Sequence, residues 1–236
     1  MPEASLLSIS GLRGGYGGKP VLRGVDLNIP EGQITAVIGR NGVGKTTLIK
    51  SIIGLLPPSG GSIRWRGQEI GGMRPHLRAR LGLGYVPQGR DVFPRMSVED
   101  NLRVGESISA TRKSEFEPIY KYFPILRERR RQAAGTLSGG QQQQLAIGRV
   151  LVGNPSLLLL DEPSEGIQPS IVQDIARIGV ELNRSNRLTI VLVEQNIDMI
   201  RAMAQRCFVM DKGLIVAELI REELEDPAVV RRYLAV

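Results

Sequence analysis

The chain has 236 residues, of which 42% are hydrophobic and 23% charged, and these values predict one or two folded domains and exclude wholesale disorder. The longest apolar runs have the length of strands, the first residues lack the pattern of a secretory signal, and the single cysteine cannot form an internal disulfide, so we expect a chain of a reducing compartment without a transmembrane helix. The net charge of +7 leaves nucleic acid, anionic lipid and phosphorylated ligands open as partners.

The first half of the chain alternates between predicted strands and helices. Strands are predicted at residues 6–9, 25–29, 34–38, 63–66 and 83–86. The first two flank a glycine-rich turn at residues 14–18, and the third is a continuous apolar run typical of a buried central strand. Helical spacing follows over residues 46–56, and Pro57 and Pro58 are predicted to end that helix.

A helical block then interrupts the alternation. From residue 97 to about residue 134 the spacing is helical, and Ser97 with Asp100 and Ser114 with Glu117 match the capping-box pattern that begins a helix. After this block the alternation resumes. Helices are predicted at residues 141–152 and 170–183, and strands at residues 157–160, 188–193, 207–210 and 214–220. The last two strands flank a tight turn and form a predicted hairpin.

The strongest motif lies between the strand predicted at residues 34–38 and the helix that follows it. The pattern G-x-x-x-x-G-K-[ST] is matched by Gly39, Arg40, Asn41, Gly42, Val43, Gly44, Lys45 and Thr46. In such a phosphate loop the backbone N–H groups point at phosphate oxygens, Lys45 adds a positive charge, and the Thr46 hydroxyl is a ligand for Mg²⁺. Because a chance match in this strand–loop–helix context is rare, the sequence predicts a nucleoside triphosphate site.

Two acidic residues follow the strand predicted at residues 157–160. Asp161 stands at the carboxyl end of that strand, where ligands bind in open α/β sheets, and is predicted to hold the Mg²⁺ shell. Glu162 offers a second carboxylate that can orient and deprotonate an attacking water. An acidic pair after a strand is by itself more often solvated surface, and the phosphate loop is what favours the functional interpretation.

A second glycine-rich segment opens the helix predicted at residues 141–152. Ser138 is predicted as the cap of that helix, and Gly139 and Gly140 expose N–H groups at its positive end, which favours a second phosphate site. One triphosphate does not need two such sites, so the simplest arrangement is a head-to-tail dimer in which this segment contacts the γ-phosphate on the partner's phosphate loop. A glycine-rich helix cap without a ligand is the alternative.

With these motifs in this order, the chain resembles the ATP-binding cassette (ABC) family along nearly its whole length. In this resemblance Tyr16 corresponds to the aromatic residue that stacks on adenine, Gln88 to the glutamine that senses Mg²⁺ and contacts the membrane subunit, residues 137–141 to the signature, and residues 164–166 to the dimer-contact loop. The nucleotide-binding residues that it implies are Tyr16, Gly39, Arg40, Asn41, Gly42, Val43, Gly44, Lys45, Thr46, Thr47, Ser138, Gly139, Gly140 and Gln141. The implied metal ligands are Thr46, Gln88 and Asp161, and the implied catalytic residues are Glu162, Gln88, Gln195 and Lys45.

The resemblance also implies the fold. It is an α/β fold, a P-loop NTPase core with a parallel central sheet, an N-terminal antiparallel β part and an inserted helical lobe. The implied organisation is one domain over residues 1–236, in which residues 1–95 and 136–236 form the core and residues of about 96–135 form the insertion that ends at the signature.

One residue that departs from the family's usual motifs indicates which subfamily the chain resembles. The family usually has a histidine after the strand predicted at residues 188–193, whereas this chain has Gln195 there and its only histidine, His76, is predicted to be a surface residue. The amide of Gln195 can donate a hydrogen bond to a γ-phosphate oxygen, but it carries no charge and takes up no proton. Gln195 and the phosphate loop resemble the second ATPase subunit of branched-chain amino-acid importers, and residues 138–149 and 165–170 resemble most the urea and short-chain amide branch.

The implied activity is therefore ATP hydrolysis that powers an importer for branched-chain amino acids or, by the closer likeness, urea and short-chain amides, with ATP and Mg²⁺ bound. The implied partners are a second ATPase subunit, identical or paralogous, transmembrane permease subunits and, indirectly, a solute-binding protein, at the cytoplasmic face of the inner (cell) membrane. A nucleic-acid or ribosome-associated cassette is the alternative. It is disfavoured, and no nucleic acid is expected as a partner, because no sustained heptads lie between Lys45 and Asp161 and the chain holds one cassette.

Two arginine-rich stretches have no assigned role. Residues 64–95 hold seven arginines against Glu69 and Asp91, and residues 127–131 hold four more. The sequence leaves open whether these stretches are a solvated surface or contact lipid headgroups or acidic loops of a permease.

Overall fold

The structure, a computed structural model, describes residues 5–108, 116–226 and 229. Its strands are β1 (Ser5–Tyr16), β2 (Lys19–Pro30), β3 (Ile34–Ile38), β4 (Gly60–Trp65), β5 (Gln68–Glu69), β6 (Leu83–Val86), β7 (Leu157–Asp161), β8 (Thr189–Val193), β9 (Arg206–Asp211) and β10 (Leu214–Ile220). Its helices are α1 (Lys45–Ile53), α2 (Pro75–Arg80), α3 (Val98–Glu106), α4 (Glu117–Tyr122), α5 (Pro124–Glu128), α6 (Gly139–Leu151), α7 (Pro169–Asn186), α8 (Ile197–Met203) and α9 (Arg221–Glu225). No helix in these ranges combines the length and the apolar character needed to span a bilayer.

The strands form two sheets. Six of them form a central sheet in the order β10-β9-β3-β8-β7-β6, and four form a second sheet in the order β2-β1-β4-β5. The central sheet is parallel from β9 to β6, with β10 antiparallel at one edge, and the second sheet is antiparallel throughout. The predicted fold class, a parallel central sheet with an N-terminal antiparallel part, is confirmed. The carboxyl ends of β3, β7 and β8 meet at one edge of the central sheet, which is where the site lies.

The central sheet separates two hydrophobic cores. Along β3, Ala36 belongs to the core shared with α6, α7 and α8, whereas Val37 belongs to the core shared with α1 and the second sheet. Along β7, Leu158 and Leu159 divide in the same way. Because successive side chains of a strand point to opposite faces and both faces are covered, β3, β7 and β8 are buried at every position, which explains their uninterrupted apolar runs.

The first hairpin is longer than the sequence predicts. A turn is predicted over residues 14–18, but β1 continues through Tyr16 and the chain turns only at Gly17 and Gly18. The reason is steric. A Cβ at Gly15 would lie 1.9 Å from the carbonyl oxygen of Lys19, so the glycine allows close approach of the two strands inside the ladder.

Helix α1 ends earlier than predicted. It stops at Ile53, because Gly54 adopts a left-handed conformation with φ of 85° and its N–H bonds back to the last turn, so Pro57 and Pro58 do not end the helix. The same end of α1 is capped by a side chain from α2. The guanidinium of Arg78, whose residue is only 1% exposed, donates hydrogen bonds of 2.7–3.0 Å to four backbone carbonyls. The acceptors are the carbonyl oxygens of Ser51, Ile52, Gly71 and Met73.

Arg78 therefore fits neither of the two roles left open for the arginines at residues 64–95, which were a solvated surface and a contact with lipid headgroups or a permease. It is neither solvated nor available to a partner, because all its donors face the inside of the fold. Other members of that stretch, Arg64 and Arg66, are exposed and form ion pairs with Glu69 and Glu31. An arginine count along the sequence thus overstates the basic surface.

The predicted helical block is broken into short helices. Ser97 caps α3 as predicted, since its hydroxyl accepts the Asp100 N–H at 3.0 Å, whereas Ser114 of the second predicted capping box lies outside the described residues. Helices α4 and α5 are separated at Phe123, and Pro124 begins the second of them.

The short elements α2, α8, α9 and β5 are not predicted, because each is too brief to show a period. The division into residues 1–95, 96–135 and 136–236 stays a prediction.

Candidate active site

The phosphate loop joins the carboxyl end of β3 to α1. Gly44, the residue before the helix, has a φ of 115°, and a Cβ at Gly39 would lie 2.2 Å from the carbonyl oxygen of Met210, so both positions require glycine. The first turn of α1 contains no acidic residue, so nothing in that turn neutralises the positive end of the helix dipole. The loop and helix together form a site for an anion.

Lys45 lies at the centre of this site. The residue is 4% exposed, and its Nζ donates hydrogen bonds to the carbonyl oxygens of Gly39 (2.7 Å) and Arg40 (3.0 Å). Burial lowers the pKa of the Lys45 ammonium. The charges that oppose this lowering are those of Glu162, Asp161 and Glu194. Three carboxylates at the ends of β7 and β8 thus help to keep the buried lysine charged.

A cavity of about 300 Å³ opens above the loop. Its lining residues are Val21, Asn41, Gly42, Gly44, Lys45, Thr46, Thr47, Gln88 and Glu162. Most of the predicted phosphate-loop residues therefore lie where the sequence places them, around one cavity with a positive centre.

Thr46 and Asp161 come together beside Lys45. The Thr46 hydroxyl lies 3.2 Å from Oδ1 of Asp161, and the hydroxyl of Tyr85 lies 3.3 Å from Oδ2 of the same carboxylate. Burial raises the pKa of Asp161, while the hydrogen bonds from Thr46 and Tyr85 act against this rise. Burial and the nearby Asp161 also raise the pKa of Tyr85, so this hydroxyl acts as a donor. Tyr85 is a site residue that carries no motif and that the sequence does not reveal.

Glu162 is the point where the predicted catalytic side chains meet. Its Oε1 accepts a hydrogen bond from Nε2 of Gln195 at 3.0 Å, its Oε2 accepts one from Nε2 of Gln88 at 3.4 Å, and Oε1 lies 3.9 Å from Nζ of Lys45. Nε2 of Gln195 also donates to Oδ1 of Asn41 in the phosphate loop, at 2.7 Å. The side chains of Asn41, Gln88, Glu162 and Gln195, from separate parts of the sequence, therefore form one hydrogen-bonded group, and Lys45 forms an ion pair with it.

The segment after Gln88 is anchored to the loop at residues 164–166. Nε2 of Gln88 donates to the Glu165 carboxylate at 2.9 Å, and Nη2 of Arg90 donates to the carbonyl oxygens of Glu165 and Gly166 at 3.1 and 3.2 Å. Arg90 and Asp91 both have positive φ, of 75° and 47°, an uncommon conformation for residues other than glycine. These contacts fix a strained segment, and Arg90 is a second site residue that the motifs do not identify.

Two predicted groups lie apart from this cavity. Tyr16, at the end of β1, is 48% exposed and does not belong to the cavity lining among the described residues. Ser138, Gly139, Gly140 and Gln141 do not belong to it either. Ser138 and Gln141 form the capping box that begins α6, with the Ser138 N–H bonded to Oε1 of Gln141 at 2.9 Å, which confirms Ser138 as the helix cap.

A buried lysine under a glycine-rich loop, facing carboxylates at the ends of neighbouring parallel strands, is the arrangement of P-loop enzymes that hydrolyse nucleoside triphosphates. Comparison with known proteins gives the family. The ABC transporter family model matches residues 22–165, more than half of the chain, and the chain therefore belongs to the ABC transporter family as an ATP-hydrolysing cassette.

Similarities to individual proteins and solved structures are consistent with this family membership. The chain is 42% identical to the high-affinity branched-chain amino acid transport ATP-binding protein BraG of Pseudomonas aeruginosa, over 85% of this chain and 87% of that protein. It is 34% identical to the lipopolysaccharide export system ATP-binding protein LptB of Escherichia coli, over 97% of this chain and 96% of LptB. Among solved structures, the ADP conformation of MJ1267, an ATP-binding cassette of an ABC transporter, is similar with a TM-score of 0.85 and 28% identity, over 98% of this chain and 99% of that one.

Proposed function

We propose that this chain is the ATP-hydrolysing subunit of a solute importer and that it works as a head-to-tail dimer of cassettes on a separate membrane permease. The observation that carries the proposal is the hydrogen-bonded group of Gln88, Glu162 and Gln195 next to Lys45. These residues surround one carboxylate at the mouth of the phosphate loop. Such a carboxylate is suited to act as a base on water directed at a γ-phosphate.

The proposed reaction begins when ATP displaces the backbone acceptors of Lys45. The carbonyl oxygens of Gly39 and Arg40 now accept from its Nζ, and the β- and γ-phosphate oxygens are the stronger, charged acceptors. A water attacks the γ-phosphorus, the bond to the β-phosphate oxygen breaks, and Glu162 takes the proton of the water. The amides of Gln88 and Gln195 orient the Glu162 carboxylate and, in the proposed closed state, contact the γ-phosphate. Tyr16, exposed at the end of β1, is the proposed platform for adenine.

Thr46, Asp161 and Gln88 are the proposed ligands of Mg²⁺. The hydroxyl of Thr46 and the carboxylate of Asp161 are hard oxygen donors 3.2 Å apart, which suits this ion. Among the residues that the structure describes, no cluster of three or more His, Cys, Asp or Glu side chains is placed to hold a metal alone, as expected for an ion that is bound largely by the triphosphate. When bound, Mg²⁺ neutralises charge that develops on the β- and γ-phosphates.

The dimer is proposed because the signature segment lies outside the cavity of its own chain. The capping box uses the N–H groups of Ser138 and Gln141, so those of Gly139 and Gly140 are available to an anion at the N-terminus of α6. Only a second cassette, turned head to tail, brings this segment to the triphosphate on Lys45. The partner cassette is identical or paralogous.

The permease is proposed to bind a groove formed by α2, α3 and α6. This groove, about 340 Å³ in volume, is lined by apolar side chains that include Leu55, Val104 and Ile108, which are 56%, 36% and 42% exposed. Exposed apolar residues that lie together indicate a protein contact. A permease segment with apolar side chains fits this groove, and such binding would hold the chain at the cytoplasmic face of the membrane.

The proposed solutes are branched-chain amino acids, on the similarity to BraG, or urea and short-chain amides, on the pattern of residues 138–149 and 165–170. The test has two parts. The tagged chain is purified from its own cells in mild detergent to identify the membrane proteins bound to it, and uptake of labelled leucine, urea and acetamide is compared with cells that carry Glu162→Gln. The proposal expects a bound permease and loss of uptake of one of these solutes. Copurification with lipopolysaccharide-export components, or salt-sensitive binding of RNA without a membrane partner, would refute it.

A further inference from the structure

Glu194 is a buried carboxylate that no motif assigns. It directly follows β8 and is only 2% exposed. Its Oε1 accepts the backbone N–H of Ser164 at 2.8 Å, and its Oε2 accepts the backbone N–H groups of Gln195 and Asn196 at 2.7 and 2.8 Å. A carboxylate without water is costly unless several donors solvate it, and here three backbone donors do so.

The three donors belong to two different functional segments. Ser164 begins the loop at residues 164–166, which the family resemblance implies to be the loop that contacts the partner cassette. Gln195 carries the amide that reaches both Asn41 in the phosphate loop and Glu162. One rigid carboxylate therefore joins the loop proposed to contact the partner to the backbone that positions Gln195.

The other side of the loop at residues 164–166 is also held. Gln88 donates to the side chain of Glu165, and Arg90 donates to two of the loop's carbonyl oxygens. Any displacement of this loop is thus transmitted toward Gln88 on one side and toward Gln195 on the other. Both glutamines donate to Glu162, so the loop is mechanically connected to the proposed base by two routes.

We propose that Glu194 is a positioning residue that couples the loop at residues 164–166 to Gln195, so that contact with a second cassette places the Gln195 amide for hydrolysis. This inference rests on the proposed roles of that loop and of Gln195. It assigns Glu194 no contact with ATP. Loss of Glu194 removes the smallest of the three carboxylate charges that keep Lys45 charged, while those of Glu162 and Asp161 remain. It therefore slows turnover while ATP binding, which depends on the phosphate loop and Lys45, is largely retained.

The test is the exchange Glu194→Gln in the assembled transporter. The glutamine side chain has the same shape but one acceptor oxygen, so it can hold Ser164 or the pair Gln195 and Asn196, not both. We expect the ATP Kd to stay within about twofold of wild type and kcat to fall about tenfold, the size of effect seen when a buried positioning partner is removed. Because Glu194→Gln can also reduce stability, Glu194→Asp is measured beside it. The shorter carboxylate keeps the charge but reaches only one of the two segments, and an intermediate kcat is expected.

The matched control is Asn183→Asp. Asn183 is 6% exposed and donates to the carbonyl oxygens of Gly32 and Leu188, near the opposite ends of β3 and β8 from the site. This exchange also alters a buried side chain that bonds only to backbone, but away from the site. Equal losses of kcat in Asn183→Asp and Glu194→Gln, at equal losses of Tm, would show that Glu194 acts through stability alone and would overturn the proposal.

A double-mutant cycle with Gln195→Ala separates the remaining outcomes. If Glu194 acts through Gln195, the double variant is no slower than Gln195→Ala alone. Two outcomes overturn the role of Glu194 and leave the proposed function intact. One is that the losses of kcat in the two single variants add up in the double variant, and the other is that Glu194→Gln has a wild-type kcat while Gln195→Ala is slow. A wild-type kcat in Gln195→Ala overturns both the proposed role of Gln195 and the coupling through Glu194.

Discussion

Replacement of Arg78 by methionine tests whether a buried arginine holds the end of the phosphate-loop helix. Methionine fills a similar elongated space but donates no hydrogen bond, so four backbone carbonyls lose their guanidinium donors. Two of these carbonyls, those of Ser51 and Ile52, belong to the last turn of α1. The Ser51 carbonyl also accepts the Gly54 N–H at 3.2 Å, whereas among the described residues the Ile52 carbonyl has no backbone N–H donor. Each buried acceptor left without a donor costs about 1–3 kcal/mol.

The desolvation of the arginine charge offsets part of this loss, since methionine does not have to be stripped of water. We expect a net decrease of about 3 kcal/mol in the free energy of unfolding. For a chain of this size each kcal/mol lowers Tm by about 2–4 °C, so Tm falls by about 6–12 °C. The measurement is urea and thermal denaturation of the nucleotide-free chain, followed by circular dichroism.

The matched control is Arg80→Met, on the same helix but at an exposed position, where we expect a change within about 0.5 kcal/mol. Arg78→Lys should be intermediate, because one ammonium cannot serve four separate acceptors. A loss below about 1 kcal/mol in Arg78→Met, or an equal loss in Arg80→Met, would refute the view that these four hydrogen bonds hold the helix end.

Three further predictions concern the active site. Glu162→Gln should retain ATP binding and lose turnover by at least about 100-fold, because an amide cannot take the proton of water; a steady-state ATPase rate near wild type would exclude Glu162 as the base. Lys45→Ala should weaken ATP binding at least about tenfold in a calorimetric titration, whereas Tyr16→Ala should weaken ATP but leave inorganic triphosphate unaffected, and equal losses for both ligands would remove Tyr16 from the adenine site. Asp161→Asn should abolish Mg²⁺-dependent turnover. At neutral pH it should nevertheless raise Tm, with a gain of about 0.5–2 kcal/mol in the free energy of unfolding, because burial raises the pKa of Asp161 and so disfavours its ionised form. That gain should vanish below about pH 4, where the carboxyl is protonated in both states, and a lower Tm of the variant at neutral pH would contradict the reasoning.

The sequence by itself determined the elements whose signals are local. The phosphate loop at residues 39–46 is a continuous pattern, and residues 34–38 and 157–160 are apolar runs typical of strands that are covered on both faces of a sheet. The cap at Ser138 follows in the same way, because a helix start depends on neighbours three positions apart. The parallel sheet and its antiparallel companion followed from the order of these elements together with the family resemblance.

Local signals misplaced several boundaries. Two prolines suggested the end of α1, but Gly54 ends it sooner, since a left-handed glycine closes the last turn on its own. The glycines at residues 14–18 suggested one turn, but Gly15 serves the close approach of two strands, a requirement that appears only when the partner strand is in place.

Only the tertiary structure decided which side chains meet. Gln88, Glu162 and Gln195 are far apart in the chain, and their hydrogen bonds depend on β6, β7 and β8 lying side by side. The burial of Arg78 and Glu194 also could not be predicted, because the sequence does not indicate whether water or backbone groups solvate a charged side chain. Periodicity and motifs record interactions between near neighbours, whereas a buried charge is stabilised by groups that the fold brings from elsewhere. That is why the sequence indicated the phosphate site and the structure alone showed what holds it in place.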